Sequence, residues 1–218
     1  MGISFEVLSV ILFNSIISYK GFNDFIFFKK FHFKMDKIKN GEYYRLLTSG
    51  FLHVDKQHLI FNMVTLYFFG DFVLNIFGPF WFFCMYIFCI FLGNFFCLII
   101  HNKSNDYSAV GASGAVTGIL FSAILAYPDL KLALLIFPIP MPGYFFGIAY
   151  LAYTFYGLKK QNDGIGHSAH LGGAIGGIVL SILLIPKLII LSFKTLLLLS
   201  IVIIFGIIYF RKNIYKTN

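Results

Sequence analysis

The sequence predicts an all-α protein of the lipid bilayer, and three observations predict it. The 218 residues are 59% hydrophobic and 20% aromatic but only 12% charged, a balance that a soluble core of this size could not bury. Six or seven mostly apolar runs approach the roughly 20 residues that a bilayer span requires. Short connections join most of these runs, and no internal repeat or low-complexity linker separates them, so one polytopic bundle is expected.

Taken in order, the runs place helices at Ile3 to Tyr19, His58 to Phe77, Phe80 to Ile100, Ser113 to Tyr127, Pro142 to Leu158 and Ser168 to Leu184. The first has no basic leader and no small-residue cleavage site, and further spans follow it, so it reads as an anchor and not a removable signal. A last run, Leu188 to Phe210, is long enough to be a seventh span although Lys194 interrupts it near its start. The expected division is a core over residues 1–187, then an added helix and basic tail over 188–218.

Residues 20–57 form the one extended segment between spans. Six phenylalanines, Phe22, Phe25, Phe27, Phe28, Phe31 and Phe33, are mixed there with Lys29, Lys30, Lys34, Lys37 and Lys39, a composition suited to the headgroup interface. The net charge of +8 flanks the helices instead of forming a block that could track a nucleic-acid backbone, so anionic lipid headgroups are the expected partner and nucleic acid is not. Cys84, Cys89 and Cys97 lie inside one apolar run with no C-x-x-C spacing and read as packing residues.

Polar and ionisable side chains inside a membrane are costly, which makes each a functional candidate. His58 and Asn62 are spaced i, i+4 and share a face at the start of the second run. Ser113 opens the fourth run after Gly111, and His170 lies in the first turn or so of the sixth. If every run spans once, the second, fourth and sixth enter from the same side, which puts all four residues at one depth. Gly114 and Gly118 form a small-residue stripe below Ser113, and Gly173 and Gly177 form another below His170, so these two helices can approach closely.

That arrangement suits acyl transfer. A serine hydroxyl needs a neighbouring base, which neutral imidazole supplies, and the oxyanion of the tetrahedral intermediate needs fixed donors, here Asn62, His58 and the Ser113 backbone N–H. The closest acid, Asp163, sits seven residues before His170 in a loop, so a Ser113–His170 dyad is expected instead of a triad. His167 reads as a structural or hydrogen-bonding residue.

Three motifs carry a resemblance. Gly111-Ala112-Ser113-Gly114, Ala169-His170-Leu171-Gly172-Gly173 and His58-Leu59-Ile60-Phe61-Asn62 resemble, in order and placement, the G-x-S-G, A-H-x-x-G and H-x-x-x-N patterns of the rhomboid family. The stretch from Tyr44 to His53 resembles the segment that leads into the second helix. The resemblance covers about residues 40 to 180 and implies a six-helix serine endopeptidase that needs no cofactor or metal and cuts transmembrane substrates. It gives His58 and Asn62 the oxyanion role and Gly111, Gly114, Gly173 and Gly177 supporting roles.

The chain departs from that pattern at Tyr44, where a Trp is usual, at Leu74, where a Glu is, and at Thr117, where an aromatic is common one turn below the serine. The resemblance implies a cytoplasmic N-terminus and an outward site, yet that orientation puts fourteen of the seventeen Lys and Arg on the outer side, against the positive-inside rule. A bacterial plasma membrane is the expected location. Two other readings are carried forward: an inactive relative that binds transmembrane clients, and a metal transporter using His53, His58, His167 and His170.

Overall fold

The computed structural model describes residues 2–133, 139–160 and 164–214, and it is an all-α membrane bundle with two small two-stranded ribbons. α1 (Phe5–Asn23) is the expected first span. The long segment that follows carries short elements of its own: α2 (Phe25–Phe31), β1 (Phe33–Lys34), α3 (Met35–Lys39), α4 (Arg45–Thr48) and a 3₁₀ turn at Ser49–Phe51 succeed one another. Phe33, Met35, Ile38 and Leu46 from this segment pack with Cys97 into a small core of their own. Phe25 and Ile26 instead stay exposed.

Arg45 holds this segment together. Its guanidinium is buried, donates to the carbonyls of Lys29 and His32 at 3.0 and 2.8 Å, and donates from Nε and Nη2 to Glu42 Oε2 at 2.9 and 2.7 Å. The Tyr44 hydroxyl donates to the same carboxylate oxygen at 2.7 Å, so the residue standing in place of the usual Trp anchors the loop through its polar end.

The second and third runs form one helical element, α5 (Lys56–Ile100), broken at Gly78, whose φ of 79° and ψ of 167° are not helical, with Pro79 after it. The reason is local: glycine reaches positive φ without steric cost, and proline disfavours helix in the residue before it. α1 touches both arms, Val7 at Gly70 and Asn14 at Tyr86, where the Asn14 amide donates to the tyrosine hydroxyl at 2.9 Å. The arms therefore run back beside each other as two spans. Leu74 lies in the core between them, and Asp71, three residues earlier, accepts from the Ser4 hydroxyl at the start of α1.

After β2 (Ser108–Ala109), which pairs antiparallel with β1 through Phe33 opposite Ala109, comes α6 (Ser113–Ala126). Every residue of α6 from Gly114 to Leu125 is buried, as expected of a helix apolar on all sides and enclosed by others. Its 14 residues rise only about 21 Å, shorter than a hydrocarbon core of about 30 Å.

The ribbon of β3 (Lys131–Leu132) and β4 (Met141–Pro142) leads into α7 (Gly143–Lys160). α8 (His167–Leu184), a short α9 (Leu188–Leu191) and α10 (Phe193–Ile214) complete the chain. α5, α6 and α8 make the centre, while α10 packs along α7, with Gly147 against Leu199 and Gly206 against Phe155. α1, α5, α8 and α10 are each long and apolar enough to cross a membrane, and the broad apolar exposure of α10 suits contact with lipid.

Candidate active site

Three helix starts meet at the site. The turn before α6 takes Gly111 to φ +131°, which favours glycine, and the His58 ring lies so close that a Cβ there would stand 2.5 Å from its Cε1. Gly111 is thus required twice over, for conformation and for space. The turn is held from the other side by His53: the Ala112 N–H donates to His53 Nε2 at 3.3 Å, and Gly111 N–H donates to the Ser49 carbonyl at 3.0 Å.

Because Nε2 of His53 accepts, its hydrogen is on Nδ1, which donates to Ser18 Oγ at 2.8 Å; the serine hydroxyl in turn donates to the Phe51 carbonyl at 3.0 Å. In the sequence His53 is a metal-ligand candidate and the last residue of the stretch that resembles the lead into the second helix, with no role for it in holding the turn before Ser113. Its position five residues before His58, at the end of the stretch leading into α5, was the available signal. Burial, with the His58 ring 4.9 Å away, holds its pKa far below the usual histidine value, at about 3.

The sign of the pH effect follows. An unfolded histidine takes a proton near pH 6.5, while His53 in the folded chain stays neutral down to about 3, so its contribution is complete above 6.5 and is lost as pH falls toward 3. Removing it in His53→Gln should flatten the acid side of the stability curve by up to about 1.4 kcal/mol per pH unit between pH 6 and 4. Thermal melts in detergent across that range measure this, and parallel curves for the two proteins would mean that His53 is protonated where it sits.

Ser113 is the first residue of α6 and is half-buried. Below it the two small-residue stripes meet. The Ala169 carbonyl would be 3.3 Å from a Cβ at Gly114; a Cβ at Gly173 would collide with the Gly114 carbonyl, and one at Gly177 with the Gly118 carbonyl. The Ser122 hydroxyl extends the seam, donating to the Gly177 carbonyl at 3.1 Å. His170 follows Ala169 and precedes Gly173 by three residues, and the contact of Gly114 with Ala169 and Gly173 brings the first turns of α6 and α8 together.

The first turn of α8 is fixed independently. Ser168 hydrogen bonds His101 Nε2 at 3.0 Å, and His101 stacks on Tyr107 at 3.8 Å. His167 is buried against Gly157 and meets the Tyr153 ring edge-on at 5.2 Å, a packing role as expected. Asn62, buried one turn below His58, donates to the His58 carbonyl at 2.9 Å and keeps its second amide hydrogen for another acceptor. Asp163 lies outside the described residues. Among the described residues no three His, Cys, Asp or Glu side chains gather as a metal site would require.

A bundle of long apolar helices that buries its central helix and carries Ser, His and Asn residues at helix starts is a multi-pass membrane protein. The chain belongs to the rhomboid family: the family's Rhomboid domain matches residues 40–187. Among curated proteins it is 31% identical to RHOMBOID-like protein 12, mitochondrial, of Arabidopsis thaliana, over 77% of this chain and 55% of that one. It is 28% identical to Rhomboid protein 1, mitochondrial, of Saccharomyces cerevisiae, over 62% of this chain and 40% of the other. The putative rhomboid protease YdcA of Bacillus subtilis is 29% identical over 69% of this chain and 71% of its own.

The chain thus spans about half the length of the two mitochondrial relatives. Those names give no support to the expectation of a bacterial plasma membrane, and what stands is a multi-pass membrane location.

Proposed function

We propose that the protein is an intramembrane serine endopeptidase, with Ser113 as nucleophile, His170 as general base and a client that is itself a transmembrane protein. The observation that supports this reading is the glycine contact between α6 and α8, which brings together the two helix starts that carry the serine and the histidine, polar groups that are costly in a membrane segment without a function. Packing alone would be served by the glycines without them.

In the reaction, Ser113 Oγ attacks the substrate carbonyl and its proton passes to His170 Nε2. The oxyanion is received by donors at the start of α6, where the helix adds partial positive charge, and by His58 and the remaining hydrogen of Asn62. Collapse expels the amine with the proton from His170, and water then releases the acyl group by the same steps in reverse roles. A cut within a substrate's span requires that helix to unwind locally before attack, and release of the acyl group requires a water at the site.

On this reading residues 1–187 are the protease domain and 188–218 an added helix and tail. The loop of α2 rests on the headgroups, where Lys29 lies 4.4 Å over the Phe25 ring and Lys20 4.4 Å over Phe27. The direct test is cleavage of a single-span substrate in liposomes by the wild type and by Ser113→Ala and His170→Ala, together with labelling by a serine-reactive probe. Cleavage and labelling by the wild type alone support the dyad. A wild type that captures the span without cutting or labelling would instead mark a client-binding relative.

A graded outcome is expected at Asn62. Asn62→Ala should lower kcat by about 10²-fold, as removal of one oxyanion donor does, while KM moves little. A change confined to KM would place Asn62 in substrate binding.

A further inference from the structure

Thr117 stands where the family resemblance leads to an aromatic one turn below the serine, and the structure supplies the aromatic from a different helix. Tyr150 of α7 lies with its ring 5.8 Å from the His170 ring, tilted by 33°. Its hydroxyl is 3.1 Å from His170 Nδ1 and 2.9 Å from Thr117 Oγ1. Phe121 meets the Tyr150 ring edge-on at 5.8 Å and Phe146 stacks on it at 6.3 Å, so the ring is fixed and its hydroxyl held between the two partners.

We propose that Tyr150 and Thr117 are positioning residues that form a neutral relay setting the tautomer of His170: Nδ1–H donates to the Tyr150 oxygen, and the Tyr150 O–H donates to Thr117 Oγ1. The inference deepens the reading of His170 as the base and rests on it. Neutral imidazole carries one N–H, and a base must face its proton donor with the bare nitrogen; with the hydrogen on Nδ1, that nitrogen is Nε2.

The direction of the relay follows from the charged state. Once His170 has taken the serine's proton, both ring nitrogens are donors, so the Tyr150 oxygen has to accept and its own hydrogen needs another acceptor. Thr117 Oγ1 is at the distance to take it. An aspartate in a triad does this work with charge; here a phenol and a threonine do it without burying a carboxylate in the bilayer, which would be costly. The relay also accounts for a threonine at position 117: an aromatic there would fill the space through which Tyr150 reaches the histidine.

The test combines kinetics with a readout of the tautomer. Tyr150→Phe keeps the ring, and Thr117→Val is nearly isosteric; each should lower kcat by about tenfold to a hundredfold, the worth of a hydrogen bond to a charged group, with KM within about twofold. Thr117→Ser should restore the wild-type rate. In ¹⁵N spectra of histidine-labelled protein, assigned by comparison with His170→Asn, the resting wild type should show His170 with its hydrogen on Nδ1 and Tyr150→Phe a mixture of tautomers.

Hydrogen on Nε2 in the resting wild type would overturn the proposal, as would unchanged kcat and spectra in Tyr150→Phe. The spectra report the ring whether or not the protein cuts. A wild type that neither cleaves nor labels, yet shows the expected tautomer, would therefore count against the protease reading and for the relay.

Discussion

Replacing Ser113 by Ala is expected to lower kcat/KM for a single-span substrate by about 10⁴-fold or more, and His170→Ala by a similar factor. On the proposed mechanism the two act as one unit, because a serine is a useful nucleophile only while an imidazole can take its proton. The double variant should therefore be no slower than the worse of the singles, where independent contributions would multiply. Progress curves at matched protein concentration, with melting temperatures to show that each variant is folded, measure this. Activity of His170→Ala above about a tenth of wild type would remove His170 from the base role, since general bases contribute about 10²–10⁴-fold.

A second large effect is expected from one methyl group. In Gly173→Ala the new Cβ would collide with the Gly114 carbonyl oxygen, and no side chain can rotate away because the obstacle is backbone. α6 and α8 have to separate, at a cost at or above the ~3 kcal/mol upper end of ordinary overpacking, or a fall of roughly 6–12 °C in melting temperature for a chain of this size. The separation also falls between Ser113 and His170, where a misplacement of ~1 Å can cost about 10²-fold in rate. Gly166→Ala is the control, because its Cβ would meet only the Ala169 Cβ at 3.8 Å. A Gly173→Ala protein as stable and active as that control would mean that the seam does not set the dyad.

Much of this was legible in the residue order. The apolar runs gave the helices because the bilayer leaves a backbone few ways to satisfy its hydrogen bonds, and each described span falls within a few residues of its run. The spacing of Gly114 and Gly118 against Gly173 and Gly177 pointed to the seam the structure contains. The gap left between the second and third runs, at Gly78 and Pro79, is where the structure breaks the helix. What it missed was partnership across the chain. Residues 20–57 looked like an extended interfacial loop, yet Phe33 pairs with Ala109 and Arg45 gathers the carbonyls of Lys29 and His32.

By itself the sequence determined that this is an α-helical membrane protein and which helices it has, and it led to the expectation that a serine, two histidines and an asparagine share one level of the bilayer. Those properties follow from composition and period, which are local. The tertiary structure decided the rest: His53 as the latch under the turn before Ser113, the collision geometry that makes Gly111 and Gly173 intolerant of a side chain, and Tyr150 of α7 in reach of both His170 and Thr117. Each is a contact between residues 20 to 60 positions apart, set by helix packing that no short window of sequence encodes.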